Sequence, residues 1–494
     1  MYALTKDIMK KIDLDTQLKI KSYDLMEEAG TKMANIILKN YDPHNVLLAL
    51  GSGGNAGDAL VVGRILLNNN NINVDAYIVD EIKNNDALIN LNKFSGNIIN
   101  NIDFNKYDLI IDGLFGIGLS RNLNDKYIDI INKINESNIK IISLDIPSGI
   151  DASFGILYNA FIKSDLCISV EYHKTGLFLN DGLDSYKKLA LIKVGMDKPN
   201  DKIKILEKND FKNIFPNRLR NTNKGSYHKA SIIAGSKKYP GASKISYNSL
   251  LAFKMGVGFL NLYVPKSLYD IYALNNPEII VNEIKEIDGH IDFDKDKLDE
   301  IIKRSDSIAI GMGMQVSKEL YDTISYLLNN YDKRLLIDAD GLNTLSKYGI
   351  DILNNKKCEV ILTPHLKEFE RLSGLNIDEI KNNIFEISKN FAKKYNITLV
   401  LKSSSTIITD GKNISIQVEG STGLAKAGSG DALSGIITGL LAYLYNENTY
   451  RIASLGSYIL GLSSNLIAKK EPEECITISE IIKYIPKTIK YIKS

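Results

Sequence analysis

A glycine-rich segment in the second half of the chain combines an anion-binding loop with an acid. Residues 427–430 are Ala, Gly, Ser and Gly, whose small side chains let backbone N–H groups approach an anion closely. Residues 436–443 are mostly apolar and predict a helix, whose positive N-terminus would face the same anion. Asp431 would then reach a substrate hydroxyl and deprotonate it during attack on a nucleotide phosphate. A helix entry with an acidic residue near its cap is the alternative interpretation.

Three other polar segments of the second half follow aliphatic runs. Asp338 and Asp340 place two carboxylates at a strand end, where they would hold Mg²⁺ through water or order the neighbouring loops. His365 lies beside a proline-fixed turn and is either a substrate contact or a structural hydrogen-bonding group. Residues 402–406 offer a lysine and four hydroxyls to a phosphate. These segments are consistent with a nucleotide-dependent transferase.

The first half has a glycine-rich segment of its own at residues 51–58, which follows an aliphatic run and precedes residues with a helical period. A strand, glycine loop and helix in this order suggest a dinucleotide-binding unit, and Asp75 lies near the roughly 20-residue distance expected of a ribose-binding acid. The glycine spacing differs because position 56 is Ala56. We therefore disfavour an NAD-dependent dehydrogenase.

Short aliphatic runs alternate with helix-like segments throughout, which predicts an α/β fold around largely parallel sheets. In such sheets ligands bind beyond the carboxyl ends of the strands, where these loops lie. The polar, irregular stretch at residues 198–224 predicts a boundary near residues 206–218 and two domains, residues 1–206 and 218–494. The strand candidates are residues 46–50, 74–79, 109–111, 141–144, 166–170 and 189–192, then 230–234, 308–310, 335–337, 360–362 and 399–401.

The composition is that of a soluble globular protein of more than one domain. The chain has 494 residues, 44% of them hydrophobic and 24% charged, and its net charge is +2. Without a long basic run, neither nucleic acid nor a membrane is an expected partner. The three cysteines Cys167, Cys358 and Cys475 are far apart, which indicates a reducing compartment. We expect a cytoplasmic enzyme or binding protein, and a homo-oligomer.

The motifs of the second half together resemble the ADP- or ATP-dependent NAD(P)H-hydrate dehydratases of the ribokinase-like superfamily. The resemblance covers nearly all of residues 218–494. It implies a C-terminal ribokinase-like domain that phosphorylates the hydroxyl of hydrated NADH or NADPH, with Mg²⁺ and ADP or ATP, and then eliminates the phosphate. The motifs are residues 224–225, 234–236, 239–242, 277–278, 311–313, 336–343, 362–365, 368–369 and 428–431.

By matching motif positions, the resemblance implies two groups of binding residues, with Asp431 as the catalytic base. The residues implied to face the hydrate are Ala242, Gly313, His365 and Asp431. Those implied to face the nucleotide are Lys402, Ser403, Ser404, Ser405, Thr406 and Gly430. Ser403 and His228 stand where the family usually has glycine, which would alter nucleotide preference and a local turn, respectively.

The first half, over about residues 1–205, resembles NAD(P)H-hydrate epimerases. The motifs are residues 25–30, 51–58, 112–121, 145–151 and 171–176. The resemblance implies a Rossmann-like, three-layer domain, like the second, with a K⁺ site at Asn55, Asp112 and Ser148, an oxygen-only set suited to a hard cation. Asp112 and Asp145 are the candidate acid–base groups, between which the sequence does not distinguish. The residues implied to contact the hydrate are Gly54, Asn55, Ala56, Gly57, Asp58, Gly116, Ile117, Gly118, Leu119, Ser120, Arg121, Asn122 and Asp145.

Gly54, Ala56 and Ala59 replace the asparagine and two glycines usual in the first loop. A methyl group at position 56 or 59 would restrict positive φ or crowd a phosphate. We expect a bifunctional enzyme that repairs hydrated NADH and NADPH. The alternatives are a ribokinase-like small-molecule kinase with an accessory first domain, and a first half that is a ligand-binding or scaffolding module without catalysis.

Overall fold

The computed structural model describes residues 1–69, 71–253, 256–274 and 277–494. Contacts between Cα atoms divide the chain into two compact units. We call Tyr2–Lys204 the N-terminal unit and Ile205–Ser494, with Met1, the C-terminal unit. Within the described ranges no helix combines the length and apolarity that crossing a membrane requires.

The N-terminal unit has a seven-stranded sheet in the order β4-β3-β2-β5-β6-β7-β9, in which every neighbouring pair is parallel. Its strands are β1 (Tyr2–Leu4), β2 (Asn45–Leu50), β3 (Asn73–Ile78), β4 (Asn97–Ile99), β5 (Leu109–Gly113), β6 (Lys140–Leu144), β7 (Leu166–Val170), β8 (His173–Lys174), β9 (Leu189–Ile192) and β10 (Ile203–Ile205), whose last residue is the first of the C-terminal unit. Its helices are α1 (Lys6–Gln17), α2 (Ser22–Asn40), α3 (Gly54–Leu67), α4 (Asn85–Lys93) and α5 (Asp125–Glu136). Strand β1 pairs with β8 and β10.

Both faces of this sheet are covered, so its central strands contain continuous apolar runs, such as residues 46–50 in β2, instead of alternating apolar and polar residues. In β2, Leu48 belongs to the hydrophobic cluster on the side of α3, whereas Leu47 belongs to the cluster on the side of α5. Helix α3 is buried almost all round, while α5 buries one apolar stripe. The result is the three-layer α/β domain that the sequence predicted.

The C-terminal unit contains a run of nine strands in the order β13-β12-β11-β16-β17-β18-β19-β20-β21. Strands β13 to β19 in this order are parallel, and β20 and β21 add an antiparallel edge. The strands are β11 (Lys229–Ile233), β12 (Phe259–Pro265), β13 (Ile280–Ile284), β14 (Glu286–Ile287), β15 (His290–Ile291), β16 (Ser307–Ile310), β17 (Arg334–Ile337), β18 (Glu359–Leu362), β19 (Thr398–Leu401), β20 (Thr406–Thr409) and β21 (Ile414–Gln417). Strands β14 and β15 form a separate two-stranded ribbon.

Helices lie along this sheet, and α14 is the most buried of those that shape the site. They are α6 (Pro240–Phe253), α7 (Tyr269–Ala273), α8 (Lys295–Arg304), α9 (Lys318–Asn330), α10 (Asp340–Tyr348), α11 (Leu366–Ser373), α12 (Ile377–Asn382), α13 (Ile384–Tyr395), α14 (Ser429–Tyr443), α15 (Thr449–Ala468) and α16 (Ile478–Lys493). Residues 432–442 of α14 are all buried, in contact with α6 and α15. Its first turn is thereby held at the carboxyl edge of the sheet.

Candidate functional site

The C-terminal unit gathers its predicted loops at one edge of the sheet, because β11, β16, β17, β18 and β19 are parallel. Gly313 follows β16 with φ 64°, a conformation that favours glycine. A Cβ on Gly313 would lie 2.7 Å from the Cβ of Ala242, so these two predicted hydrate contacts are adjacent. A Cβ on Gly311 would lie 2.1 Å from the carbonyl oxygen of Asp338, and glycine there lets two loops approach closely.

An ion pair between the half-buried Lys402 and the buried Asp338 lies at this edge of the sheet. The Nζ of Lys402 lies 3.0 Å from Oδ1 of Asp338, and the Oγ of Ser434 donates a 2.7 Å hydrogen bond to Oδ2. Only 1% of Asp338 is exposed. Burial opposes its ionisation, but the Lys402 charge and the Ser434 hydrogen bond hold the pKa of Asp338 below its ordinary value. The site therefore carries the negative charge of Asp338 beside the positive charge of Lys402.

The first turn of α14 lies directly over this pair. The helix begins at Ser429, after Gly428 with φ 96°, which confirms the helix predicted beyond the glycine-rich loop. A Cβ on Gly430 would lie 3.1 Å from Nζ of Lys402 and 3.6 Å from Oδ2 of Asp338. Glycine at this position thus leaves the lysine head accessible beside the positive end of the helix.

Asp431 lies in that first turn and is only partly exposed. Burial, with a further contribution from the Asp338 charge, raises the pKa of Asp431 to about 6, while Lys402 opposes the rise. A carboxylate with a pKa just below neutral is a suitable general base, since it is ionised at pH 7 and still takes up a proton readily.

His365 and Glu368 form a reciprocal cap at the start of α11. The backbone N–H of His365 donates to Glu368 Oε2 (2.8 Å), and the N–H of Glu368 donates to His365 Nδ1 (3.2 Å). Burial raises the pKa of Glu368 to about 7, and burial together with Lys402 lowers that of His365. Our site prediction omitted Glu368, although its position three residues after His365 has the spacing of a capping box.

Asp340 orders the loop after β16. Its Oδ2 accepts a 2.9 Å hydrogen bond from the N–H of Gln315, and it starts α10 directly after Ala339, which has φ 51°. Across the described ranges, no three His, Cys, Asp or Glu side chains are grouped as metal ligands. The Gln315 contact fits the loop-ordering alternative for Asp340.

The predicted nucleotide segment forms the turn between β19 and β20. Lys402 leaves β19 with its N–H bonded to the carbonyl of Pro364 at 2.8 Å. Ser403 and Ser404 are exposed, and Ser403 Oγ donates to the carbonyl of Ser405 at 2.7 Å. Thr406 is half-buried at the start of β20. Of this segment, Lys402 is the residue brought against Gly430.

The N-terminal unit has a cavity of about 610 Å³ at the carboxyl ends of its central strands. Its wall includes ten of the thirteen residues predicted to contact the hydrate, and Asn122 is exposed outside it. The ten are Gly54, Asn55, Asp58, Gly116, Ile117, Gly118, Leu119, Ser120, Arg121 and Asp145.

The alanines of the first loop are helical and introduce no backbone strain. Ala56, Gly57 and Ala59 lie within α3 and are buried, and neither alanine has positive φ. The expected restriction of positive φ at positions 56 and 59 is therefore wrong. The methyl of Ala59 packs against Gly113, where an added Cβ would lie 2.7 Å away.

Asp112 lies at the end of β5 and is completely buried. Its Oδ1 accepts from Ser148 Oγ (2.6 Å) and the Leu114 N–H (3.3 Å), and its Oδ2 accepts from Ser143 Oγ (2.8 Å) and the Ser148 N–H (2.9 Å). Burial raises the pKa of Asp112 although these four hydrogen bonds oppose the rise. The carboxylate thus joins the loops that follow β5 and β6.

The other two predicted cation ligands lie in the same network. The Phe115 N–H donates to Ser148 Oγ at 2.8 Å, and the carbonyl of Phe115 accepts from Asn55 Nδ2 at 3.0 Å. Asn55, Asp112 and Ser148 are thus joined directly or through one residue, and they offer oxygen atoms alone. Oxygen donors are the set that a hard cation prefers.

Asp145 lines the cavity, whereas Asp112 is not among the residues of its wall. It has φ 67°, and its Oδ1 accepts from the Val170 N–H (3.0 Å) and from Nζ of Lys174. Asp13 and Asp58 also line the cavity. Burial raises the pKa of both, well above the ordinary value for Asp58, and the charge of Asp145 adds to the rise. Asp13 and Lys174 were not among our predicted site residues: nothing adjacent in sequence marks Asp13, and Lys174 lies in the motif at residues 171–176 but was given no role there.

Comparisons with known proteins agree with the families that the two halves of the chain were predicted to resemble. A family model described as NAD(P)H-hydrate dehydratase matches residues 230–487, and one described as YjeF-related protein N-terminus matches residues 22–176. The chain is 30% identical to the bifunctional NAD(P)H-hydrate repair enzyme Nnr of Dictyoglomus turgidum, over 99% of this chain and 98% of the relative. With the Nnr of Thermofilum pendens it shares 27% identity, over 96% and 93% of the two chains.

A solved structure supports the fold of the second half. It is the ADP/ATP-dependent NAD(P)H-hydrate dehydratase from Bacillus subtilis, co-crystallised with ATP and Mg²⁺. The TM-score is 0.51 at 24% identity, over 59% of this chain and 99% of that one. The similarity confirms the ribokinase-like fold predicted for the second half.

Proposed function

The chain belongs to the family of bifunctional NAD(P)H-hydrate repair enzymes, and on that premise we propose that it restores hydrated NADH and NADPH at two sites. The N-terminal unit interconverts the R and S epimers of the hydrate. The C-terminal unit converts the S epimer to NADH or NADPH with ADP or ATP. The observation that supports this proposal most strongly is Asp431, in the first turn of α14, over the Lys402–Asp338 pair.

In the dehydration, the Asp431 carboxylate takes the hydroxyl proton of the hydrate as the hydroxyl oxygen attacks the terminal phosphorus of the nucleotide. The new oxygen–phosphorus bond replaces the phosphoanhydride bond, whose electrons leave with the shortened nucleotide. The carbon–oxygen bond of the hydrate then breaks with its electrons leaving on the phosphate, and the departing phosphate takes a proton from the neighbouring ring carbon, whose electrons form the double bond. Asp338 and, beside its loop-ordering role, Asp340 would hold Mg²⁺ through water, and the ion would neutralise charge on the nucleotide phosphates.

We expect Lys402→Ala to weaken nucleotide binding by about tenfold or more, because it removes a charge-assisted phosphate contact beside the N-terminus of α14. Hydrate affinity should change less, since Ala242 and Gly313 lie on other loops. Titration calorimetry with ADP and ATP measures the effect, and Lys318→Ala is the control because Lys318 is exposed and paired with Asp322. Unchanged nucleotide affinity in Lys402→Ala would contradict this placement.

The dehydration rate should rise with pH around pH 6. Asp431 must be ionised to accept the proton, and burial raises its pKa to about 6, so activity is lost as the pH falls below that value. The measurement is kcat/KM for the S epimer between pH 4.5 and 8.5. Glu368→Gln is the control, because Glu368 has a pKa raised to about 7 and its removal should leave the limb near pH 6 in place. A profile that is flat from pH 5 to 7 would refute Asp431 as the titrating base.

In the epimerisation, we assign proton transfer to Asp145. The hydroxyl proton passes to its carboxylate, and the bond between the hydrated carbon and the ring nitrogen breaks with its electron pair moving to nitrogen. Rotation about the adjacent carbon–carbon bond turns the new carbonyl, and the reverse steps close the ring with the opposite configuration. Asp112 fits this role less well, since its carboxylate is buried and each of its two oxygens already accepts two hydrogen bonds.

We assign Asp112, with Asn55 and Ser148, to a K⁺ site that orders the loops around the cavity. Support comes from the oxygen-only set and from the burial of Asp112, whose charge a cation would compensate. The first turn of α3, where Gly54 and Asn55 line the cavity, is a suitable place for a phosphate of the dinucleotide.

A mixture of both hydrate epimers, incubated with and without ADP or ATP, tests the proposed function. Separation of the epimers by chromatography should show full conversion to NADH with nucleotide, and interconversion of R and S without it. Conversion that stops when the S epimer is exhausted would show that the N-terminal unit lacks epimerase activity. Accumulation of a phosphorylated product without elimination would favour a small-molecule kinase instead.

A further inference from the structure

Lys174 is a completely buried lysine in the wall of the N-terminal cavity. It lies in β8, its side chain is 0% exposed, and it borders the same cavity as Asp145. Burial of an ammonium group costs several kcal/mol unless the charge is paired and hydrogen-bonded. A lysine at this position therefore needs a fixed partner to be tolerated.

Its partner is Asp145, and the pairing uses one carboxylate oxygen. Lys174 Nζ donates to Oδ1 of Asp145 and, at 3.0 Å, to the carbonyl of Val170. The Val170 N–H donates to the same Oδ1 at 3.0 Å. Within the described part of the chain, both side-chain hydrogen bonds of Asp145 end on Oδ1. The carboxylate is thus held by one oxygen, and Oδ2 is the oxygen that can accept a proton from a ligand.

The backbone holds Asp145 in an uncommon conformation. Its φ is 67°, its N–H donates to the carbonyl of Ile168 at 2.8 Å, and its own carbonyl accepts from Ser169 Oγ at 3.3 Å. A non-glycine residue in the left-handed region is strained, and such residues concentrate at functional sites. The strand end and Lys174 therefore fix the direction of this carboxylate together.

Lys174 also balances the charges around the cavity. Asp13 and Asp58 line the cavity with Asp145, and the charge of Lys174 acts on both against the effect of Asp145. Because the Lys174 side chain has no exposed surface, a substrate in the cavity would meet the carboxylates and not the ammonium. Its influence on a reaction must pass through its partner.

We propose that Lys174 is a positioning residue for epimerisation: its ammonium holds Oδ1 of Asp145 so that Oδ2 takes and returns the hydroxyl proton of the hydrate. This inference rests on the epimerase function proposed above for the N-terminal unit. The proton moves between the hydrate oxygen and Asp145 in both directions, and Lys174 keeps its own protons throughout.

The first test compares Lys174→Met with wild type in epimerisation. The neutral, unbranched methionine fills the same space, and we expect kcat to fall by about 10²-fold with KM changed by less than about threefold. Dehydration of the S epimer by the same protein should continue and reports that the chain is folded. Lys187→Met is the matched control, because Lys187 is exposed and paired with Asp165 in the same unit. A Lys174→Met variant that epimerises at the wild-type rate, or in which KM changes while kcat does not, would overturn the proposal.

The second test is a double-mutant cycle with Asp145→Asn. If Lys174 acts through Asp145, then Lys174→Met in the Asp145→Asn background should change the rate by less than about twofold. This comparison remains usable if Lys174→Met alone is unstable, because the double variant leaves no unpaired buried charge. Independent, multiplying effects of the two substitutions would overturn the positioning role. A wild-type protein without epimerase activity would instead refute the proposed function.

Discussion

Asp431→Asn should slow dehydration of the S epimer by about 10²–10⁴-fold, because it removes the base that takes the hydroxyl proton. Nucleotide binding should remain nearly intact, since Lys402 and the backbone N–H groups of α14 are unchanged. Steady-state kinetics with the purified S epimer, together with calorimetric titration of ADP and ATP, give both quantities.

The loss should not come from unfolding. Burial and the charge of Asp338 disfavour the ionised form of Asp431 in the folded protein. Above its pKa of about 6 the charged carboxylate therefore lowers the free energy of unfolding. A neutral asparagine removes that cost, and the variant should melt at or above the wild-type temperature at pH 8. Dehydration at near-wild-type rates would show that Asp431 is not the base.

Asp112→Ala should abolish epimerisation, because it removes the acceptor of four hydrogen bonds that join the loops after β5 and β6. It also removes the charge that the proposed K⁺ would compensate. With a racemic hydrate and excess nucleotide, the variant should repair the S epimer and then stop at about half conversion, once the spontaneous epimerisation seen without enzyme is subtracted.

The control for this prediction is Asp165→Ala. Asp165 is another acid of the N-terminal unit, accepts the Ile141 N–H at 3.0 Å and pairs with Lys187, outside the cavity wall. The control should repair all of the hydrate. Complete repair by Asp112→Ala would show that the buried carboxylate is not needed for epimerisation.

The sequence predicted the central strands well because each contains a short apolar run buried on both faces, such as residues 46–50 in β2 and 360–362 in β18. It missed β12 and β13, which contain polar residues, and β13 is mostly exposed at the edge of the sheet. It also missed the hairpin of β20 and β21, where the chain turns antiparallel. Of these strands only β13 lacks a buried run; β12, β20 and β21 are largely buried, but polar residues interrupt or flank their short apolar runs.

The C-terminal site was easier to predict than the N-terminal one. Glycines, acids and a lysine mark its loops directly, although Glu368 and Ser434 were omitted among the groups that meet there. In the N-terminal unit, Lys174 reaches Asp145 across 29 residues and lies in a strand of two residues. Lys174 lies in the motif at residues 171–176, but the sequence does not show that its partner is Asp145, which only the fold brings to it.

Two independent sites on one chain should act in sequence, which the reaction of purified R epimer with nucleotide can show. Wild type should form NADH, Asp431→Asn should form the S epimer without NADH, and Asp112→Ala should leave the R epimer unchanged. Mixing the two variants should restore NADH formation, because each supplies the site that the other lacks. The rate of spontaneous epimerisation is subtracted first. If the mixture then forms no more NADH than either variant alone, the two activities do not reside at independent sites.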